Sequence, residues 1–295
     1  MKQGKLLHIG LIIGDFALFF GLEVWVEMLF FAGYGAGLAA TVNSPDDIVG
    51  LITTLFYSGA LFDVEMRYVD IIQLLFYPMV VSGLFAFLIA RTKSWSNATQ
   101  EIRLKRPRYS RLLPLLMPLA IGAFLTVTAV FALIPEDLPL LQEYTTMSEL
   151  ALNTETPFLS FMVAVVCAPF VEEFFFRGLI FNHLRQVFPK RKWLAMLLSA
   201  AVFGLAHGQL LWILYATLLG IIFAMVYDYF DSLPTSIFLH LLFNFSNYLP
   251  WPEAMFESTY SLLIVLFASL LVLSLILLLM VLTKRRDSTS LKAGL

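Results

Sequence analysis

Six residues on three apolar stretches of this chain carry the side chains needed to attack a carbonyl with water. They are Glu172, Glu173 and Arg177 in A-P-F-V-E-E-F-F-F-R-G, His207 in F-G-L-A-H-G, and His240 with Asn244 in F-L-H-L-L-F-N-F. A carboxylate can take a proton from water, and one removed from bulk water does so more readily, which suits a general base at neutral pH. Imidazole and carboxamide N–H groups can donate to an oxyanion, and losing one such donor typically costs about 100- to 1,000-fold in rate. On a helix Glu173 and Arg177, four apart, share a face and can neutralise each other. Glu172 lies about 100° around the axis and needs another partner. His240 and Asn244 are also four apart and project together, while Gly204 and Gly208 flank His207 with small surfaces that let helices approach. Pro169 removes a backbone donor just before the carboxylates, so a freed carbonyl must be satisfied inside the protein or by water.

Taken singly, each of these residues has an ordinary structural reading, since a lone buried histidine is most often an interhelical hydrogen bonder. The set is different: two carboxylates, two imidazoles and a carboxamide on neighbouring segments are the groups of a hydrolytic site. Other polar residues keep the ordinary reading. His8 and His183 lie at the ends of apolar runs, and the single cysteine, Cys167, reads as a buried thiol. Asp15, Glu23 and Glu27 fall within an arc of roughly 120° on one helix and must face protein or water. That stripe could line a substrate path or pack against Arg67 or a similar cation.

The elements that position these groups are membrane spans. Of 295 residues 60% are hydrophobic and 14% charged, and the mean hydropathy is +0.84, outside the range of soluble domains. Apolar runs near 9–33, 70–90, 112–134, 158–184, 193–208, 211–230, 234–249 and 260–283 predict an all-α polytopic membrane protein of about eight transmembrane helices. No run reads as a cleavable leader. The run at 48–62, bracketed by Asp46, Asp47, Asp63 and Glu65, suits a re-entrant or interfacial segment. Lys2 and Lys5, the loop from Arg91 to Arg111, the loop from Arg185 to Lys192, and Lys284 to Arg286 are basic and are expected in the cytoplasm, which puts both termini there. The loop 135–157 has five acids and no Lys or Arg, and 46–69 and 250–259 lean acidic, so these are expected outside. With no internal repeat and no low-complexity linker, 1–295 reads as a single transmembrane domain. A net charge of −2 without a clustered basic face argues against nucleic acid. The partners expected are membrane lipid, a peptide or protein substrate, and other membrane proteins.

The pattern Glu172-Glu173-x-x-x-Arg177, Phe203-x-x-x-His207, His240-x-x-x-Asn244 resembles the three motifs of the CPBP family, the CAAX proteases and bacteriocin-processing enzymes. It covers roughly 158–249, with Gly220 and the turn Ser232-Leu233-Pro234 between the second and third motifs. The resemblance implies an eight-helix intramembrane endopeptidase, in the plasma membrane if prokaryotic, whose site opens toward the cytoplasm. Glu172 with His207 would activate water, His240 and Asn244 would stabilise the oxyanion, and Glu173 with Arg177 would hold the constellation. Its substrates would be lipidated, leader-containing or otherwise membrane-associated peptides.

Two questions stay open at this level. A metal-independent glutamate mechanism needs no cofactor, whereas zinc held by His207, His240 and Glu173 would leave Glu172 as base. There is no H-E-x-x-H helix, and Asn244 is a poor zinc ligand but a good oxyanion donor. The competing functions are a non-catalytic scaffold or self-immunity protein, and a proton-coupled carrier using Asp15, Glu23, Glu27 and Glu172. Rhomboid and site-2 chemistries lack their motifs, G-x-S-G and H-E-x-x-H.

Overall fold

The computed structural model describes residues 2–39, 60–152 and 156–293, and among these it is all helix and connection, without strands. The expected segment 48–62 and the side chain of Arg67 lie outside the described residues. In lipid, every backbone donor and acceptor must be met within its own segment, so apolar runs of this length form helices. They are α1 (Lys2–Ala39), α2 (Ala60–Thr92), α3 (Trp95–Glu101), α4 (Leu116–Ala132, extended at its start by a 3₁₀ turn, Ser110–Leu115), α5 (Pro139–Leu152), α6 (Pro157–Val187), α7 (Lys192–Leu205), α8 (Leu210–Phe230), α9 (Leu233–Ser246) and α10 (Thr259–Ala293).

Six of them, α1, α2, α4, α6, α8 and α10, are long and apolar enough to cross a bilayer. α7 and α9 are apolar but have 14 residues each. At 1.5 Å per residue such a helix rises about 21 Å, short of a hydrocarbon core about 30 Å thick. Their ends therefore fall at membrane depth, where irregular backbone survives only if it is buried in protein or lines a cavity.

α6 is the axis of the fold. Half of its apolar window is buried (50%), against 11% for α1, so α6 is wrapped by other helices while α1 runs along the outside. α7 packs along α8, α4 lies against α9 and α10, and α1 lies against α2 and the last turns of α6. The core is aromatic: Phe175, Phe181, Phe203, Phe223, Phe230 and Tyr227 are fully buried.

The two ends of the bundle differ in charge. At one end Asp228 pairs with Arg185 (3.2 Å) and Lys284 (2.9 Å), and Asp231 pairs with Arg103 (3.0 Å) and Lys105 (2.6 Å), which ties α6, α8, α10 and the loop after α3 together. At the other end lie α5 and the connections 133–138, 206–209 and 247–258, which hold acids but no Lys or Arg.

Candidate active site

The local backbone of α6 explains why the site forms there. Residues Met162–Cys167 and Glu173–Phe181 are π-helical, with the short α-helical piece Ala168–Glu172 between them. The widened register sends the N–H of Ala168 to the carbonyl of Val163, five residues back. The next carbonyl, of Ala164, would take the N–H of residue 169, but that residue is Pro169 and has none. Asn244 fills the gap, its Nδ2 donating to Ala164 O at 2.7 Å. The carbonyl freed by proline thus fixes the carboxamide of α9 against α6. Such π-type turns are frequent at functional sites because they re-aim side chains by one residue.

Behind the site, Arg177 is completely buried, with Cζ 4.2 Å from the ring centroid of Phe203 and 5.3 Å from that of Phe223. Its Nη2 donates to Gly220 O at 3.1 Å, and its Nη1 lies 2.9 Å from Glu173 Oε1. The same Glu173 oxygen meets His240 Nδ1 at 3.1 Å. A carboxylate paired with guanidinium can only accept, so the proton of this bond sits on His240 Nδ1. The imidazole stacks on Phe223 (centroids 4.5 Å apart) and turns Nε2 toward Glu172, 3.9 Å from Oε2. Glu172 Oε2 has no hydrogen-bond partner in the protein, which leaves it for water or substrate.

His207 is held by the same device. Its Nδ1 lies 2.9 Å from the carbonyl of Phe203, which again can only accept, so the ring carries its proton there and presents a bare Nε2 when neutral. α7 stops at this point: Gly208 takes φ +74°, a left-handed conformation that a side chain would resist, and Gln209 turns back to cap α8, its Oε1 accepting from Trp212 N at 3.0 Å. Gly204 has the close-approach role expected of it, since a Cβ there would sit 2.6 Å from Ile213 O on α8. Gly208 meets nothing, so its purpose is the turn and not the packing.

Glu172, His207, His240 and Asn244 all line one cavity of about 530 Å³ between α2, α5, α6, α7, α8 and α9. Glu173 and Arg177 stand behind it and are not among its lining residues. A neighbouring cavity of about 690 Å³ shares the wall Tyr144, Tyr215, Phe243, Asn244 and Asn247 and runs out to the exposed Thr145 and Glu149 of α5. Tyr144 and Asn247 were not singled out from sequence. Tyr144 lies in an acidic connection that reads as a loop, and the signal for Asn247 is its position three residues after Asn244, on the same helical face. Outside the spanning helices, burial pushes the Tyr144 phenol above its usual value, so it stays a neutral donor at the cavity wall.

Both cavities lie at the acidic end of the bundle. α2, α6 and α8 contribute their N-terminal halves, α7 its last turn and α9 its C-terminal half, all remote from the basic loops. A cytoplasmic opening of the site and cytoplasmic basic loops, which the resemblance and the loop charges imply together, are therefore incompatible in this fold. Glu172 itself sits midway along α6, and it is the rest of the lining, Asp70, Tyr144, Ser148, Ser160, Trp212 and Asn247, that places the cavity at the acidic end.

The remaining polar residues form a separate group at the basic end. Asp15 is buried and lies 3.3 Å from His183 Nε2. None of Asp15, Glu23 and Glu27 lines the cavity that holds Glu172, and neither does Cys167. A zinc site of His207, His240 and Glu173 does not fit this arrangement. Glu173 meets His240 at Nδ1, away from the cavity, and among the described residues no three His, Cys, Asp or Glu are grouped to hold a metal ion.

Comparison with known proteins agrees with the motifs. Residues 154–246 match the family model described as type II CAAX prenyl endopeptidase Rce1-like. A Bacillus subtilis (strain 168) protein provisionally named membrane peptidase YdiL is 33% identical over 86 residues, which are 29% of this chain and 34% of that protein. The chain thus matches about a third of the length of that curated relative. No solved structure matches it.

Proposed function

We propose that this chain, whose residues 154–246 are of the Rce1-like CAAX peptidase family, is an intramembrane endopeptidase that cuts membrane-associated peptides with water activated by Glu172. The observation that supports this most is the wiring of the four cavity residues: each is fixed through an atom facing away from the cavity or left free through one facing into it.

The proton inventory suggests the roles. Glu172 takes a proton from a water molecule, which attacks the peptide carbonyl, and the same carboxyl then delivers that proton to the departing amine. His207, its Nδ1–H spent on Phe203 O, offers the Nε2 lone pair and accepts the second hydrogen of the attacking water, aiming it. Asn244 spends one N–H on Ala164 O and has another for the oxyanion. His240 donates from Nε2 as the imidazolium, held between Glu172 and the Glu173–Arg177 pair; as the neutral Nδ1–H tautomer it could only accept. Glu173 and Arg177 set the tautomer and tilt of His240 without touching substrate. Cleavage in a dry, aromatic-walled space strengthens each of these interactions over its value in water.

The test compares cells making the wild type with cells making Glu172→Gln at matched abundance, by mass spectrometry of membrane and released peptides. Cleavage products that vanish in Glu172→Gln support the reading, and their new termini define the substrate. Indistinguishable peptide profiles, together with rescue of a deletion phenotype by Glu172→Gln, would overturn it in favour of a non-catalytic scaffold. Stoichiometric zinc in the purified protein, with activity lost to a chelator, would overturn the metal-free roles given above.

A further inference from the structure

The sidedness of the cavity restricts what can enter it. Apart from Arg67 and the buried Arg177, every Lys and Arg of the chain lies toward the end of the bundle opposite the cavity, in the segments 91–111 and 185–192, in the last turns of α10 or in the first turns of α1. The cavity end carries Glu143 and Glu149 on α5 and Glu136, Asp137, Glu253 and Glu257 in its connections. Basic loops of this length stay in the cytoplasm, and the bias here is close to complete. The ion pairs of Asp228 and Asp231 hold the basic segments on one face of the folded protein, so the asymmetry belongs to the structure and not only to the sequence.

The path to Glu172 begins on the other face. The outer cavity is rimmed by Thr145 and Glu149 of α5, both exposed, and the inner one is reached past Tyr144 and Asn247. From the basic end, the way to Glu172 is filled by the fully buried Phe175, Phe181, Tyr227 and Arg177. Resting on the peptidase reading for the chemistry, we infer that the substrate enters from the extracytoplasmic side: a polypeptide segment exposed on, or emerging from, the outer face of the membrane. A tail presented in the cytoplasm has no route to Glu172.

Labelling tests this without requiring cleavage. In a Cys167→Ser background, Thr145→Cys and Asn247→Cys report the cavity mouth, and Lys190→Cys the basic end; all three positions are exposed. A membrane-impermeant sulfonated maleimide is applied to intact cells and to opened cells. The expected result is that Thr145→Cys and Asn247→Cys label equally in both, whereas Lys190→Cys labels only in opened cells. The reverse pattern overturns the inference and leaves the peptidase reading standing. A fluorescent protein fused after residue 295 is a second readout: it should fluoresce, as it does when folded in the cytoplasm, and a dark fusion at normal abundance also counts against the inference. Loss of the peptidase reading itself would show in the Glu172→Gln comparison and not in the labelling.

Discussion

Two clusters in this protein are built from nearly the same side chains and do opposite things with them. At the acidic end, two histidines, a glutamate and an asparagine line a cavity of about 530 Å³, with a second glutamate and an arginine behind them. At the basic end, His8, His183, Asp15, Glu101 and Arg91 gather beside one of about 590 Å³. There the histidine is taken up by its neighbours: His183 Nδ1 meets His8 Nδ1 at 3.1 Å, its Nε2 faces Arg91 at 3.2 Å and Asp15 at 3.3 Å, and Arg91 also donates to Glu101, while the two Asp15 oxygens, buried without a hydrogen bond, line neither cavity. No nitrogen of His183 is left over. In the cluster at the acidic end each histidine is pinned through Nδ1 and offers Nε2 to the cavity, and Glu172 Oε2 is unclaimed. Residue type makes a reactive site conceivable, and which atom is already spoken for decides whether it is one.

The comparison breaks first at Glu172. Glu172→Gln keeps the shape and removes the base, and should lower product formation by about 10²–10⁴-fold with the detergent-solubilised melting temperature intact. Retained turnover at matched abundance would place the base elsewhere. Next is the support behind His240. Arg177→Met leaves Glu173 in the core without its guanidinium partner, a change that costs about 3–5 kcal/mol, seen as a lower melting temperature. Adding Glu173→Gln should recover much of that stability and none of the activity, because a carboxamide can donate as well as accept and no longer fixes the tautomer of His240. If the double variant is as unstable as Arg177→Met alone, the pair is not what holds this part of the core.

Asn244→Ala separates two roles that one side chain plays. Losing an oxyanion donor should cost about 10²–10³-fold in rate. Leaving the Ala164 carbonyl buried and unmet should cost about 1–3 kcal/mol in stability. Pro169→Ala restores the N–H that Ala164 lacks, so in the Asn244→Ala background it should return the stability but not the rate. Recovery of both would mean that Asn244 serves only the helix.

How far these features could be read in advance follows from their range. The long spans were legible because hydrocarbon tolerates only helices with apolar surfaces, and each long run became one. That proline frees a carbonyl was legible from Pro169 alone. Its partner was not, because the π register moves the orphan by one residue and α9 arrives from 80 positions away. Glu173 with Arg177 was legible as an i,i+4 pair, but that His240 approaches Glu173 with Nδ1 and Glu172 with Nε2 depends on how two helices are rotated, which composition does not encode. The basic-end cluster escaped notice for the same reason. His8, Arg91 and His183 are ordinary end-of-helix residues, and Asp15 one member of a polar stripe, until α1, α2 and α6 bring them together.

The smallest effects belong to the basic end and sharpen the contrast. His183→Ala removes a buried partner of Asp15 and Arg91 and should cost about 1–3 kcal/mol in melting stability while turnover per folded molecule is unchanged. A large rate loss there would mean that the second cavity communicates with the first. Weaker still is Asp228→Asn, since Asp228 holds Arg185 and the half-exposed Lys284 near the membrane surface, where an ion pair is worth about 0–1 kcal/mol and is screened by salt. Its effect on melting should shrink as salt is raised. A loss that persists at high salt would show that Asp228 acts through packing against α6 and α10 and not through charge, and the basic end would then be a second rigid core in place of an electrostatic clamp.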